Sequence, residues 1–354
     1  MQESECLDVL NGGLAVGHMP LSDEEAASII SHFYGIRGEM SRLSTEKDDT
    51  FKVEAADART FIFKVGHPAE PISEIDFQVR LLQHISQVAP ELPVPRAFPS
   101  IGGDLLVTFT DQWQQERVAR LMSYMHGNLW DGATSNASQR FKIGEILARL
   151  RHATADFIHP ADSRSVAWDV KNLARLRPLL KNIDEPTQHN RLEAALDRLV
   201  PLLRRVPELR MQVLHNDFNN SNLLVDPTNP EFVIGVIDFG DAVRTAIAID
   251  VSTAMLSLLP RDAVIEPMSD LFSNGRDFLR GYLSQADLTR EELQLIPHLT
   301  MARAVARALL STWMAKKFPE NAPYLQRNAA SVWAQLDWFL ARSVSKVSGV
   351  LEAS

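Results

Sequence analysis

Three polar residues of this sequence are spaced as a set that could hold a hydroxyl group and a metal ion. Asp217 follows His215 by two positions, Asn222 follows Asp217 by five, and Asp238 opens the sequence D-F-G-D. An aspartate can orient a hydroxyl, and an amide with a second carboxylate can bind Mg²⁺ on nucleotide phosphates. The H-x-D-x4-N and D-F-G spacings therefore predict a site for phosphoryl transfer.

The segment between these residues is predicted to form a β-hairpin. Residues 223–225 and 232–237 are short apolar runs, and residues 226–230 between them are rich in proline, asparagine and aspartate. A hairpin would place Asn222, at the start of one strand, beside Asp238, at the end of the other. Two metal ligands that are distant in sequence would then meet.

Composition is typical of a soluble enzyme. The chain has 354 residues, which suggests two lobes, and 45% of them are apolar. The net charge of -9 argues against a nucleic-acid partner, and the single cysteine, Cys6, leaves no internal disulfide. There is no apolar run as long as a membrane span and no signal-like N-terminus, so a cytoplasmic protein without a membrane partner is expected. Oligomeric state is not indicated.

Hydrophobic patterning divides the chain into parts predicted as 1–125 and 126–354. The first part is predicted to contain a helix over 21–34 with Ser22 as its N-cap, and another helix over about 71–88. Its predicted strands cover residues 50–54, 60–65, 104–110 and 117–125. The second part is predicted to be mostly helical, over residues 139–156, 168–180, 187–205, 251–259 and much of 291–347. This is an α+β organisation.

The motifs and this layout resemble a known family. Residues 213–219 (V-L-H-N-D-F-N) and 235–241 (G-V-I-D-F-G-D) are similar to those of the aminoglycoside phosphotransferase/choline kinase group. Within that group they most resemble the hydroxylysine-kinase-like or homoserine-kinase-like branch. The resemblance covers nearly the whole chain. It implies a protein-kinase-like two-lobe fold, with a small antiparallel-sheet N-lobe for nucleotide and a mainly helical C-lobe that carries the catalytic hairpin.

Asp217 is the candidate catalytic base. It would accept a hydrogen bond from the substrate hydroxyl and aim its oxygen at the γ-phosphate, although an aspartate in a polar turn is the alternative. His215 is expected to support the loop by hydrogen bonds. Asn216 stands where protein kinases have arginine, so control by a phosphorylated activation loop is not expected.

Asn222 and Asp238 are the candidate Mg²⁺ ligands, since Mg²⁺ prefers hard oxygen donors and keeps several waters. A turn cap and a strand-end turn are the alternatives for them. Asp241 could support the water shell of the metal, contact a cationic substrate group, or be solvated.

Asp250 comes nine residues after Asp241 and precedes an apolar run. The family resemblance implies that it braces the catalytic loop, whereas its position also suits an N-cap. The short gap leaves no room for the long activation segment of protein kinases, which favours a small-molecule substrate over a peptide.

Lys64 lies in the apolar strand F-I-F-K-V, where its ammonium group could contact the α- and β-phosphates. An edge lysine on a half-exposed strand is the alternative. The partner carboxylate should come from the next helix, and helical geometry favours Glu74, with Gln78 second. Glutamate is also common in the first turn of a helix for dipole reasons alone.

The loop between the first two predicted strands, residues 44–50, contains no glycine. The absence of G-x-G-x-x-G argues against a protein kinase more than against a nucleotide site. Backbone groups from Ser123 to Met125 are predicted, from their position alone, to pair with adenine.

Substrate recognition is expected in the helical lobe. Arg303 and Arg307 are four residues apart among small apolar residues and could clamp a carboxylate, or they could be solvated on a helix surface. Trp168 and Trp130 could form an aromatic wall for a cation, although packing in the core is the better interpretation of both.

Together these features predict an ATP- and Mg²⁺-dependent phosphotransferase that acts on the hydroxyl of a small metabolite, an amino alcohol or a hydroxy amino acid. Preference for ATP over GTP is left open. The alternatives are an antibiotic phosphotransferase, which would need a wide acidic pocket, and a nucleotide-binding pseudokinase. The presence of Lys64, Asp217 and Asp238 argues against the pseudokinase. A hydrolase using Asp217 and His215 would leave Asn222 and Lys64 unexplained.

Overall fold

A computed structural model describes Leu10 and residues 18–45, 47–130, 135–262, 264–266, 268–319 and 329–352. Cys6 lies outside the described residues. The α-helices are α1 (Asp23–Tyr34), α2 (Ile72–Val88), α3 (Ala137–Ala153), α4 (Pro186–Leu203), α5 (Ile247–Leu256), α6 (Ser273–Gln285), α7 (Arg290–Lys317), α8 (Ala329–Leu340) and α9 (Val344–Ser348). The strands are β1 (Gly38–Leu43), β2 (Asp49–Ala55), β3 (Thr60–Val65), β4 (Ala97–Phe98), β5 (Val107–Thr110), β6 (Glu116–Ser123), β7 (Asn128–Leu129), β8 (Met211–Leu214), β9 (Leu223–Val225), β10 (Val233–Val236) and β11 (Val243–Ala246).

Strand β3 places Lys64 on the face of the N-terminal sheet that is turned toward the helical region. Within the described residues the sheet has six antiparallel strands in the order β1-β2-β3-β6-β4, with β5 also paired to β6. Phe61, Phe63 and Val65 are buried in the N-terminal core with residues of α1. Ile62 packs against the other, larger core. Because side chains alternate along a strand, Lys64 shares the face of Ile62.

Strands β9 and β10 form the predicted hairpin. Leu223 lies opposite Val236 in an antiparallel register, and the Ile237 N–H donates a hydrogen bond to the Asn222 carbonyl at 2.9 Å. Strand β7 pairs with the other edge of β9. The register brings Asn222 and Asp238 to the same end of the hairpin, as their positions in the sequence predict.

Helices α3 and α6 cross with their backbones almost in contact. A Cβ atom on Gly144 would lie 2.0 Å from the Phe278 carbonyl oxygen, and one on Gly281 would lie 1.9 Å from that of Phe141. Only glycine permits this approach. The crossing belongs to the larger core, and Phe77 of α2 is buried in the same core, so α2 links the sheet to the helical region.

Two predicted helices differ from the structure. Helix α5 begins at Ile247, so Asp250 lies inside its first turn, buried, instead of capping a helix that starts at residue 251. The segment predicted as a helix over 168–180 is a 3₁₀ helix over Val170–Asn182. It contains Pro178, whose ring and missing N–H disfavour regular α-helix at that point.

The predicted fold class is confirmed, with an antiparallel sheet in the N-terminal region and helices in most of the remainder. Ser22 caps α1 as predicted, since its hydroxyl accepts a hydrogen bond from the Glu25 N–H at 3.1 Å. The boundary between lobes at residues 125 and 126 stays a prediction. No helix in the described part of the chain is long and apolar enough to cross a membrane.

Candidate active site

His215 is a buried support of the catalytic loop, residues 215–222. Its Nε2 lies 3.1 Å from the Ile237 carbonyl oxygen, and its Nδ1 lies 3.2 Å from the Asp217 N–H. The second contact makes Nδ1 the acceptor, so Nε2 carries the proton. Burial lowers the pKa of His215 to about 4. The neutral ring therefore ties the loop to the end of the hairpin.

Asn216 connects the catalytic loop to α5. Its backbone is left-handed, with φ 60°, a conformation that asparagine tolerates better than most residues. Its N–H donates to Asp250 Oδ1 at 2.7 Å, and its Nδ2 donates to the Asp241 carbonyl at 3.2 Å. This geometry favours the brace over the N-cap for Asp250. Burial raises the pKa of Asp250 to about 7.

The Asp217 carboxylate is held by three side chains. Oδ2 accepts from Asn222 Nδ2 at 2.6 Å, while Oδ1 accepts from Asn219 Nδ2 at 2.7 Å. Oδ1 also accepts from Arg303 Nη2 at 2.6 Å. Burial raises the pKa of Asp217, and the Arg303 charge opposes that rise. These contacts fix the carboxylate in one orientation, which suits a group that must aim a hydroxyl.

Asp238 reaches across from the hairpin to the sheet. Its backbone is left-handed, with φ 63°, and its Oδ1 lies 3.5 Å from Lys64 Nζ. The Asp238 side chain is 50% exposed, whereas that of Lys64 is 16% exposed. The Lys64 charge lowers the pKa of Asp238, so this carboxylate is ionised at neutral pH. An ionised and accessible carboxylate beside a lysine is suited to a cation with phosphate groups.

The donor set fits Mg²⁺. Asn222 uses its amide nitrogen for Asp217, which leaves its amide oxygen as the atom that can bind a metal. That oxygen and the Asp238 carboxylate are hard donors at the same end of the hairpin. With nucleotide oxygens and water they would complete a coordination shell.

Asp241 adds a half-buried carboxylate near Asp217. Burial raises the pKa of Asp241 to about 7, and the negative charge of Asp217 adds to the rise. A positively charged group bound between the two carboxylates would reduce this repulsion. The role of Asp241 toward a metal water shell or a cationic substrate group stays a prediction.

Glu74 is not the partner of Lys64 in this structure. Its carboxylate accepts from Arg164 Nη1 at 3.0 Å, whereas Lys64 contacts Asp238. The reason is tertiary, because the loop that carries Arg164 lies over the first turn of α2. Arg164 also donates to the backbone carbonyls of Gly240 and Ala242, so it joins α2 to the D-F-G-D segment.

The two predicted substrate arginines differ in their surroundings. Arg303 is 4% exposed, and it donates to the Trp168 carbonyl as well as to Asp217. Its guanidinium lies 5.1 Å from the centre of the Trp168 ring. Arg303 is therefore not solvated on the helix surface, and the contacts of its guanidinium are with Asp217 and Trp168 instead of the predicted carboxylate of a substrate. Arg307 is half-buried one turn further along α7, and its predicted role stays a prediction.

The adenine-binding role of Ser123 to Met125 stays a prediction. Ser123 ends β6, where its N–H donates to the Arg96 carbonyl at 2.9 Å, and Met125 follows, half-buried. The Ser123 N–H is therefore already used, and adenine would have to use other backbone groups of this segment. Trp130 is 3% exposed within the larger core, as the packing interpretation expects.

Sequence reasoning missed Asn219 and Arg164. Asn219 lies inside the quoted motif, and its Oδ1 also accepts from the Ser221 N–H at 2.8 Å, so the motif could have revealed it. Arg164 lies in a loop far from both motifs and carries no local signal.

The model of the phosphotransferase enzyme family matches residues 40–284, which span nearly all of the sheet and the whole β9–β10 hairpin. The chain belongs to this family. The match confirms the resemblance carried by residues 213–219 and 235–241.

This phosphotransferase is 23% identical over 318 residues to the hydroxylysine kinase of Danio rerio, with 86% of this chain and 87% of that protein covered. It is similar in structure to a microcompartment-associated aminopropanol kinase, at 20% identity and a TM-score of 0.69, with 90% of this chain and 98% of the other covered. An amicoumacin kinase in complex with AMP-PNP and Ca²⁺ has 16% identity and a TM-score of 0.68, with 89% and 93% covered. At these identities the two structures show a shared fold.

Proposed function

We propose that this phosphotransferase transfers the γ-phosphoryl group of ATP, bound with Mg²⁺, to the hydroxyl of a small hydroxylated amine. An amino alcohol or a hydroxy amino acid of the hydroxylysine or homoserine type fits best. The observation that carries the proposal is the 3.5 Å approach of Lys64 to Asp238. In this contact the lysine proposed to bind phosphate lies beside the carboxylate proposed to bind the metal, at the end of the hairpin to which His215 ties the loop of Asp217.

In the proposed reaction, the acceptor oxygen attacks the γ-phosphorus and the bond to the β,γ-bridging oxygen breaks, so ADP leaves. Asp217 would accept the hydrogen bond of the acceptor hydroxyl and take up its proton as the new bond forms. Asn222 and Asp238 would hold Mg²⁺, which neutralises charge on the phosphates. Lys64 would contact the phosphates from the side of the sheet.

The amine is inferred from the charges around Asp217. The negative charge of Asp217 adds to the rise in the pKa of Asp241, which the charges of Arg303 and Arg164 oppose, and a bound ammonium would further reduce the repulsion between the two carboxylates. The names of the hydroxylysine and aminopropanol kinases, which act on hydroxylated amines, agree with this class.

A panel assay tests the proposal. The protein is incubated with ATP and Mg²⁺ and, separately, with hydroxylysine, homoserine, aminopropanol, ethanolamine and an aminoglycoside, and ADP release is measured. Acceptor-dependent ADP from at least one small hydroxylated amine is expected. Turnover with the aminoglycoside alone would instead indicate antibiotic phosphorylation, and no acceptor-dependent ADP in a folded protein would refute the proposal.

Two variants assign the roles. Asp217→Asn keeps the shape of the side chain and is expected to lower kcat by about 10²- to 10⁴-fold with little change in ATP affinity. Asp238→Asn is expected to raise the Mg²⁺ concentration needed for half-maximal rate. Wild-type kinetics in either variant would remove that residue from the proposed mechanism.

A further inference from the structure

A row of hydrogen-bond donors crosses the N-terminal sheet at Lys64. Thr50 of β2 lies opposite Lys64 of β3, and Lys64 lies opposite Arg120 of β6. Residues opposite each other in an antiparallel sheet have their side chains on the same face. Thr50, Lys64 and Arg120 therefore form one row, here called the donor row, on the face turned toward the hairpin.

Two buried polar atoms of the donor row lack hydrogen-bond partners among the described residues. Two like charges directly opposite each other in a sheet are unfavourable, and Lys64 and Arg120 are such a pair. Arg120 is 2% exposed and Thr50 is 3% exposed. Within the described part of the chain, Arg120 Nη1 and Thr50 Oγ1 have no hydrogen-bond partner. A buried donor without an acceptor lowers the stability of the folded protein. The unpaired donors therefore indicate that the row binds an acceptor from outside the described residues.

Arg120 is held by a carboxylate and an amide. Its Nη2 lies 2.8 Å from Asp48 Oδ2 and 3.1 Å from Gln78 Oε1. Asp48 belongs to the glycine-free segment between β1 and β2. The neighbouring Lys47 contacts Glu70 Oε1 at 2.8 Å. This segment therefore brings charged side chains to the sheet, where a glycine-rich loop would bring backbone N–H groups.

We propose that Arg120 and Thr50 bind the nucleotide triphosphate together with Lys64, and that the phosphates replace Asp48 as the partner of Arg120. The inference rests on the proposed function and adds two binding residues to it. The donor row then binds the phosphates in place of a glycine-rich loop. The hydroxyl of Thr50, the ammonium of Lys64 and the guanidinium of Arg120 take the place of the backbone N–H groups of such a loop. Gln78 is the positioning residue that keeps Arg120 directed along the row.

Binding measurements with ATP and adenosine test the proposal. Isothermal titration calorimetry is carried out with Mg²⁺ on the wild type, Arg120→Gln, Arg120→Lys and Thr50→Val. Arg120→Gln is expected to weaken ATP binding by about tenfold or more, since a hydrogen bond to a charged group is lost. Arg120→Lys should lie between it and the wild type, and Thr50→Val should weaken ATP binding severalfold. Adenosine affinity should not change.

A second pair of variants separates phosphate binding from a structural role for Arg120. If Arg120 only neutralises Asp48, the double variant Asp48→Asn/Arg120→Gln should recover wild-type ATP affinity, and that recovery would overturn the proposal. If the phosphates compete with Asp48, Asp48→Asn alone should tighten ATP binding, and the double variant should stay weak. Thr50→Val is nearly isosteric and stays informative if Arg120→Gln does not fold.

The outcomes also distinguish this inference from the proposed function. A folded wild type that does not bind ATP would overturn both. A wild type that binds ATP, with Lys64→Met weakened but the Arg120 and Thr50 variants unchanged, would overturn only the donor row.

Discussion

Arg303 Nη2 lies 2.6 Å from Asp217 Oδ1, so an arginine of helix α7 holds the carboxylate proposed as the catalytic base. The two residues are 86 positions apart. The guanidinium is fixed in turn by the Trp168 carbonyl and lies over the Trp168 ring. Arg303 therefore contributes, with Asn219 and Asn222, to the orientation of Asp217 and brings a positive charge to it.

Replacing Arg303 should impair turnover more than nucleotide binding. Arg303→Met removes the cation and one of the hydrogen bonds to Asp217, and we expect kcat to fall about 10- to 100-fold, equivalent to about 1–3 kcal/mol. Arg303→Lys keeps the charge but loses the planar geometry, so it should recover part of the rate. Steady-state kinetics with an active acceptor measure kcat, and calorimetry measures ATP affinity. An Arg303→Met variant with wild-type kcat would contradict this role.

The brace between α5 and the catalytic loop predicts a difference between two substitutions of Asp250. Asp250→Leu leaves the buried Asn216 N–H without its acceptor, which should cost about 1–3 kcal/mol of unfolding free energy and lower kcat. Asp250→Asn can still accept through its amide oxygen and should be milder in both measurements. Urea denaturation and kinetics on the two variants provide the comparison. Equal losses in both would show that the charge of Asp250, and not its hydrogen bond, matters.

His298 should make stability depend on pH below neutrality. It is 2% exposed in α7, and burial lowers the pKa of His298 to about 4, well below the ordinary value of 6.5. The unfolded chain binds a proton near pH 6.5 but the folded chain does so only near pH 4, so the unfolded state gains stability as pH falls through this window. The loss of folding free energy should reach about 3 kcal/mol by pH 4.

The variant His298→Gln isolates this contribution. The difference in unfolding free energy between wild type and variant should be constant above pH 7 and should shift in favour of the variant between pH 6.5 and 4. Denaturant titrations at several pH values measure it. A difference that does not change with pH would exclude the proposed titration.

The crossing of α3 and α6 should not tolerate a methyl group. Gly144→Ala would bring a Cβ to 2.0 Å from a backbone oxygen, so the helices must separate. We expect a destabilisation of about 3 kcal/mol, at the upper end for overpacking, because backbone cannot rotate away as a side chain can. Gly102→Ala is a matched control, since its nearest neighbour would be a side-chain oxygen at 3.5 Å. Thermal unfolding of both variants tests this, and equal melting temperatures would contradict it.

The sequence by itself determined the hairpin and the polar residues at its end. The spacing of Asp217, Asn222 and Asp238 and the turn residues between the strands are local features. Local turn chemistry and period-two patterning are enough to place the two strand ends together. The position of Lys64 is also determined locally, because its strand alternates clearly.

Only the tertiary structure decided which partners these residues have. Glu74 pairs with Arg164 and not with Lys64, and Arg303 contacts Asp217. Arg120 meets Lys64 through a strand register that no local pattern reveals. These contacts join residues that are distant in sequence, and their geometry depends on how the sheet, the hairpin and the helices pack. The physical reason is that hydrogen bonds and ion pairs act over a few ångströms, whereas sequence patterns report only the periodicity of each element.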